Sequence, residues 1–483
     1  LAATLFWWLA LALLSLGAWP MLAGLCRGLP DRGYLLARAV GWLGVGYVLW
    51  LGASMRLLSN RAPVALGLLA LLLALGGAVA YRSRRSLGRL IRARRRLLFG
   101  EEALFTGAFL ALVLVRSLNP DLWQPWFGGE KMMESAYLSA ITRSAHFPPY
   151  DPFFAGGTIN YYYYGLYLVN LLIKLTGVVP TTAFNLAVPT FFALTVGLAY
   201  AFGHAVGAAV HPRRGLWVGL AAAVGVALAG NLTVPVQWLA GLVTLGGGRP
   251  AAMDLLGVLP ALATGLGRWL TGQGALPAFD YWYQATRIIP YTINEFPFFS
   301  FLFADLHPHM MAIPFTIAVL VLLVGVSTKD VWSTKDAKGS TKDAKEREGH
   351  EGLSALQAPS ALSGTAGGQA VAEVPALPED PAGSRSVHVE QSEGDSPLRP
   401  DNSPGSAPLR VLRAPSRLSC SQALRVLRAS VVPLVLLALV VGALGPLNTW
   451  DLPTYLGLVG IVLVYRAAVA GALWLGLVEA LAV

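Results

Sequence analysis

The residue types best suited to chemistry in this chain crowd into one stretch, Thr292 to Pro314 (TINEFPFFSFLFADLHPHMMAIP), at the mouth of an apolar run that continues to Val326. Asp305, His307 and His309 fall at alternate positions. In an extended backbone, where side chains alternate with period two, one carboxylate and two imidazoles therefore share a side. That set is competent to ligate a divalent metal, given further donors from elsewhere in the fold. The plainer reading is hydrogen bonding that caps the next helix. Glu295 is either a second acid or a buried anchor for Arg287. Ionisable groups at the rim of a membrane segment are costly unless water, metal or a counter-charge receives them, so their presence points to function.

A second polar cluster precedes it. In NPDLWQPWFGGEK, Glu130 and Lys131 follow Gly128-Gly129, Glu134 lies one helical turn on, and Arg143 and Asp151 come later. A carboxylate beside a flexible Gly-Gly can act as general base, its affinity for protons set by partial burial. A surface ion pair or a helix cap explains Glu130 and Lys131 equally simply. The third cluster is Asn448-Thr-Trp-Asp451, where Asp451 reads alternatively as the cap of the helix beginning near Pro453. Tyr161 to Tyr164, with Phe153 and Phe154, suit a sugar-stacking groove or an interfacial aromatic belt. His204 and His211 stand alone and read as structural. The Asn231-Leu-Thr233 sequon is given no weight.

The elements that must position these groups are membrane helices. Of 483 residues, 55% are hydrophobic and 13% charged, and several runs are long enough for a bilayer about 30 Å thick. Cys26 and Cys420 suggest neither a disulfide framework nor a zinc site. The chain opens at Leu1, and its last run, Ala470 to Val483, stops while still apolar, so both ends read as truncated. Of the +10 net charge, eight arginines fall in Arg82 to Arg96, directly after an apolar run. Such a loop is the positive-inside signal and is placed in the cytoplasm rather than on nucleic acid.

Apolar runs at 4–26, 34–58, 62–80 and 103–118 predict four membrane helices, with 119–160 emerging on the outer face. Within that loop, Met132 to His146 allows a short amphipathic helix lying on the surface, broken by FPPYDPFF, and Trp123 and Trp126 suit the interface. Tyr161 to Thr176 either crosses or dips in and returns. Putting Arg213 and Arg214 in the cytoplasm requires the second; if it crosses, 251–272 supplies a further crossing. Both topologies bring Thr292 to His309 to the outer face, and Ile313 to Val326 returns inward. Residues 327–428, with STKD at 327, 333 and 340, read as a disordered linker. Val431 to Leu444 and Leu452 to Val464 complete the bundle, placing all three polar loops on one face.

Four motifs, NPDLWQPWFGGEK, FPPYDPFFAGGTINYYYYG, TINEFPFFSFLFADLHPHMM and LGPLNTWDLPTY, in that order, resemble the "YYY" family of very hydrophobic bacterial and archaeal membrane proteins, which carries a domain of unknown function. The resemblance covers about 101–326 and 430–469 and leaves out the first three helices. The family's own motif reads Asp-Leu-His-Ala-His, so Pro308 departs from it while both histidines remain. That family is in turn similar to the GT-C glycosyltransferases, polytopic enzymes using polyprenyl-phosphate sugars at the outer face. Their first outer loop carries an acidic residue just after a membrane helix, and Glu130 occupies that place. Such loops often carry Asp-Glu or Asp-x-Asp, whereas this one has Glu-Lys.

Together these readings imply an all-α polytopic bundle of about 10 to 12 helices with an outward-facing site. Its divisions are N-terminal helices at 1–100, a GT-C-like core at 101–326 with outer loops 119–160 and 232–310, the linker at 327–428, and helices at 429–483. The expected activity is sugar transfer from a polyprenyl-phosphate donor to an acceptor, by a multi-pass protein of the plasma membrane. Glu130, Asp151 or Glu295 serves as catalytic acid or base. Lys131, Arg143, Tyr161, Tyr162, Arg287, Trp450 and Asp451 bind substrate, and Asp305, His307 and His309 hold a divalent metal or position the donor. The lipid bilayer and the lipid-linked sugar are the expected partners, with no nucleic acid. The alternatives are a transporter or lipid flippase, for which no internal repeat is evident, and an assembly scaffold.

Overall fold

A computed structural model describes residues 1–123, 129–231, 233–250, 255–276, 280, 283–327 and 420–469. The expected linker falls mostly at 328–419, outside the described residues, as does Trp126. The described residues fall almost wholly in one compact unit, Leu1–Gly339 with Val426–Val483. That unit carries every site residue discussed below.

The described residues hold fourteen α-helices and no strand, as an all-α polytopic membrane protein requires. Four membrane helices predicted from hydropathy appear as α1 (Ala2–Leu25), α2 (Leu36–Ser54), α3 (Ala62–Arg82) and α4 (Arg84–Leu118). Between α3 and α4 the expected arginine loop is instead helix. Only Ser83 interrupts, and the arginines form the first third of the 35-residue α4. Arginine and leucine are good helix formers, so a basic stretch leaving the membrane need not unwind.

Next come α5 (Lys131–Arg143), α6 (Tyr164–Thr176), α7 (Pro180–Val210), α8 (Arg214–Ala227), α9 (Thr233–Leu245) and α10 (Leu255–Leu270). The chain then forms α11 (Pro297–Phe303), α12 (Pro308–Ser327), α13 (Cys420–Leu447) and α14 (Asp451–Val469). α13 thus begins inside the stretch expected to be linker. Six helices, α1 to α4, α7 and α12, are long and apolar enough to cross a membrane. The short helices account for the excess over the expected count.

Buried polar groups fix the register of the bundle. Trp7 Nε1 donates to Thr190 Oγ1 at 2.9 Å, joining α1 to α7. Trp42 Nε1 donates to the Leu168 carbonyl at 3.0 Å and the Tyr167 hydroxyl to the Gly46 carbonyl at 2.7 Å, joining α2 to α6. A buried hydrogen bond contributes only about 1 kcal/mol, but a dry unpaired donor costs more, so these contacts specify alignment.

The path of α6 resolves the doubtful tyrosine segment. Thirteen residues span about 20 Å, too short for the hydrocarbon core. Near its end, Lys174 Nζ donates to the Thr142 carbonyl on α5 at 2.7 Å, and Asn170 donates to Asn60, which itself caps α5 through the Ile141 and Ser144 carbonyls. Just before its start, Tyr161 reaches Glu130 beside the start of α5. α5 and α6 therefore lie side by side at one end of the bundle, and α6 does not cross. α7 then runs to the far end, where His204 lies within electrostatic reach of Arg94. Arg213 and Arg214 consequently share an end with the arginines of α4.

Candidate functional site

Three loops meet at the end of the bundle away from the arginines. The turn 304–307 enters α12 and carries His307, with His309 in the first turn of that helix. Ala304 adopts φ 60°, the left-handed conformation that ends α11 and redirects the chain. Glu130 is the residue before α5, delivered by Gly129, whose φ is +61°. Glu295 stands just before α11, and Ser300 Oγ donates to its Oε2 at 2.9 Å.

These side chains form a continuous chain of polar contacts. Glu130 Oε2 lies 3.4 Å from His307 Nε2. His307 Nδ1 faces His309 Nδ1 at 2.6 Å, and His309 Nε2 reaches Glu295 Oε2 at 2.9 Å. The Tyr161 hydroxyl donates to Glu130 Oε2 at 3.3 Å and lies 3.4 Å from His307 Nε2. The two carboxylate ends of this chain differ in accessibility: the Glu130 side chain is 46% exposed and that of Glu295 28%. Glu130 is the end open to a substrate.

Beneath lies a buried layer of Lys131, Glu134 and Asp305, each no more than 5% exposed. Glu134 Oε2 accepts the Leu306 N–H at 2.6 Å, which locks the 304–307 turn to α5, while Oε1 is buried without a hydrogen-bond partner. Asp305 accepts the backbone N–H of Glu130. The Lys131 ammonium sits 4.2 Å over the Phe303 ring, with Asp305 its strongest charged neighbour.

Burial sets the protonation of this layer. It pushes Asp305 up to about 6 even though Lys131 pulls the other way. It drives Glu134 well above the ordinary carboxylate range, and the neighbouring charge of Asp305 adds to the effect. Two acids share one ammonium, so Glu134 holds the proton and Asp305 pairs with Lys131. Above them, burial and then the charge of His309 lower His307, leaving it the neutral member of the imidazole pair. Glu295 lies below its ordinary value: burial opposes ionisation, but the bonds from His309 and Ser300 outweigh it.

The sequence-derived candidates separate accordingly. Glu130, Glu295, His307, His309 and Tyr161 make direct contact, and Asp305 supports them from below. Asp451 opens α14, accepts from Asn448 Nδ2 at 3.0 Å and lies within electrostatic reach of His309. Tyr162 packs edge-on against Tyr161. Asp151 is a turn former, its Oδ1 accepting the Phe153 N–H at 2.8 Å. Arg143 is exposed at the far end of α5, about 18 Å from Lys131 along the helix. Arg287 does not anchor Glu295; it bonds Thr286 and stacks on Tyr283. Trp450 is 84% exposed in the α13–α14 turn. His204 stacks on Tyr200, and His211 accepts the Arg213 N–H, both as structural residues do.

Ser300 was invisible in the sequence because a serine in an aromatic run resembles any other. Glu134 was legible as a partner one turn from Glu130, but its role in holding the 304–307 turn was not.

For a divalent metal, the two Nδ1 atoms at 2.6 Å stand closer than the roughly 3.3 Å that two nitrogens keep on tetrahedral zinc. Among the described residues no group of three or more His, Cys, Asp or Glu is arranged to hold a metal ion.

Compared with known proteins, the chain matches at residues 45–360 the model of a family described as uncharacterized membrane protein (DUF2298). The match begins within α2, so it takes in the second half of α2 and all of α3, beyond the span over which the motifs suggested a resemblance. No curated protein and no solved structure matches the chain.

Proposed function

The chain belongs to the DUF2298 family of uncharacterized membrane proteins, and from that premise we propose a membrane glycosyltransferase that moves a sugar from a polyprenyl-phosphate donor to an acceptor at the outer face. The observation that carries this reading is the connected chain of polar contacts from open Glu130 through His307 and His309 to Glu295. An acceptor hydroxyl is a weak nucleophile, and a carboxylate backed by a neutral imidazole is equipped to take its proton. Glu130 fills that role better than Asp151, whose carboxylate is committed to its own turn. The departing phosphate carries charge. Lys131 is buried and Arg143 distant, so in this reading the protonated imidazole of the pair meets the phosphate. Arg287 assists, its loop held to the segment before Glu295 by the Asn294 N–H to Thr286 carbonyl bond of 2.8 Å.

A divalent cation on Asp305, His307 and His309 is a separable proposal. It requires the two Nδ1 atoms to part and Asp305 to turn from Lys131. Stripping the purified protein with chelator and restoring Mn²⁺ tests it, with metal retained by the wild type and lost from His307→Ala as the expected result.

A transporter is the second reading, favoured by one observation. Glu101, in the apolar part of α4, is 1% exposed and neither carboxylate oxygen has a hydrogen-bond partner. An ionisable group buried in a membrane helix suits ion or proton passage. The deciding experiment profiles lipid-linked sugars and surface glycans in cells carrying wild type, Glu130→Gln, or His307→Ala with His309→Ala, at equal membrane abundance. Loss of one glycan in both variants is expected. Unchanged glycans in both would remove the transferase reading and leave transport or scaffolding.

A further inference from the structure

At the opposite end of the bundle, where α3 hands over to α4, an open pocket of about 380 Å³ is lined by Arg82, Ser83, Arg84, Arg85, Ser86 and Arg89. Its four arginines are exposed. No acidic residue occurs between Asp31 and Glu101. Of the nearest acids, Glu102 is paired with Arg38, while Asp31 and Glu101 are buried. Among the described residues no ion pair involves the pocket arginines, whose guanidinium groups are open to an anion.

The pocket also faces the right medium. α3 is 21 residues long, about 32 Å of helix, close to one bilayer core. Its flank is exposed and apolar, including Leu66, Leu71 and Leu75. Tyr81, at its end, is 69% exposed, as interfacial tyrosines are, and Arg84 lies over its ring at 4.6 Å. The pocket therefore sits at headgroup depth beside a lipid-facing helix. Ser83 turns its hydroxyl back to the Val79 carbonyl, so the first-turn amides of α4 have no side-chain cap and add donors for an anion.

We propose that this pocket binds the headgroup phosphate of an anionic phospholipid of the adjacent leaflet, its acyl chains lying along α3. Guanidinium forks match phosphate oxygens in pairs, which distinguishes a fitted site from diffuse attraction. The inference is independent of the chemistry at the other end.

The test is lipid binding to the purified full chain, followed by native mass spectrometry with phosphatidylglycerol against phosphatidylcholine. One variant carries Arg84→Gln, Arg85→Gln and Arg89→Gln. A second, equal in net charge, carries Arg92→Gln, Arg95→Gln and Arg96→Gln on the same helix outside the pocket. Wild type and the second variant should prefer phosphatidylglycerol by roughly tenfold or more, a preference lost in the first. Ser86→Glu, which keeps every arginine, should lose it too, so misfolding of the triple variant would not hide the answer. Equal loss in both triple variants would reduce the pocket to diffuse charge and overturn the proposal. So would displacement of phosphatidylglycerol by millimolar inorganic phosphate, which would mark a site for free anions.

Discussion

The Nδ1 atoms of His307 and His309 face one another at 2.6 Å, while each outer ring nitrogen meets a carboxylate, Glu130 at 3.4 Å and Glu295 at 2.9 Å. Three links need three N–H protons. Two neutral imidazoles supply only two. The set therefore holds one extra proton, and the shorter carboxylate contact places it on His309, paired with Glu295. His307 stays neutral, presenting one N–H toward Glu130 and a lone pair toward His309.

Removing the carboxylate that stabilises the extra proton should release it. In ¹⁵N-histidine NMR of the purified protein at neutral pH, one imidazole should carry protons on both nitrogens in the wild type, and none with that signature should remain in Glu295→Gln. An unchanged spectrum would show that the extra proton does not depend on Glu295. Charge-assisted pairs of this kind contribute more than neutral hydrogen bonds, so the 304–309 segment should also loosen.

The buried acid layer gives stability a pH dependence of opposite sign to an ordinary salt bridge. Asp305 is raised from 3.8 to about 6 in the folded protein, so between these values the native state holds more protons than the unfolded one. Stability is then full below about pH 4 and falls as pH rises toward 6, by about 3 kcal/mol if the shift acts alone. Asp305→Asn should make that decline shallower in thermal scans from pH 4 to 7, leaving the share of Glu134, which burial also raises. A slope as steep as the wild type's would mean that Asp305 takes up no proton in this range and that Glu134 carries the whole effect.

The sequence made the long helices plain, because α1 to α4, α7 and α12 are apolar runs bounded by turns. It also revealed Glu130 and the Asp-Leu-His-Pro-His motif, since charge at a membrane rim stands out. It could not reveal that Lys131 and Glu134 turn inward. An amphipathic pattern assigns charges to the wet face, yet here they bury against Asp305, which only the fold supplies. Nor could hydropathy tell a 13-residue buried helix from part of a crossing; Lys174 and Asn170 decide that through their partners, the Thr142 carbonyl on α5 and Asn60.

Close packing of α1 on α3 rests on two glycines. A Cβ on Gly76 would stand 2.1 Å from the Gly17 carbonyl oxygen, and few other residues of α3 are buried. Without a hydrophobic driving force between helices in lipid, such close approach is what holds them. Gly76→Leu should cost about 1–3 kcal/mol through overpacking, read as a lower SDS-unfolding midpoint. Gly67→Leu, where nothing lies within 4 Å, should be neutral.

Gly129 joins backbone strain to the site. At φ +61° any other residue pays about 1–2 kcal/mol. A Cβ here would also meet the Phe303 ring at 2.5 Å and Asp305 Oδ2 at 2.8 Å. Neither neighbour can yield freely, since Phe303 stacks on Phe299 and carries Lys131, while Asp305 accepts the Glu130 N–H. Relief must come from the 129–131 backbone, which moves Glu130 away from His307. Gly129→Ala should therefore lower the unfolding midpoint and also shift the His307 resonances, whereas Gly156→Ala, at φ +80° with open space around it, should lower stability alone. His307 resonances untouched by Gly129→Ala would show that Glu130 is positioned by something other than this turn.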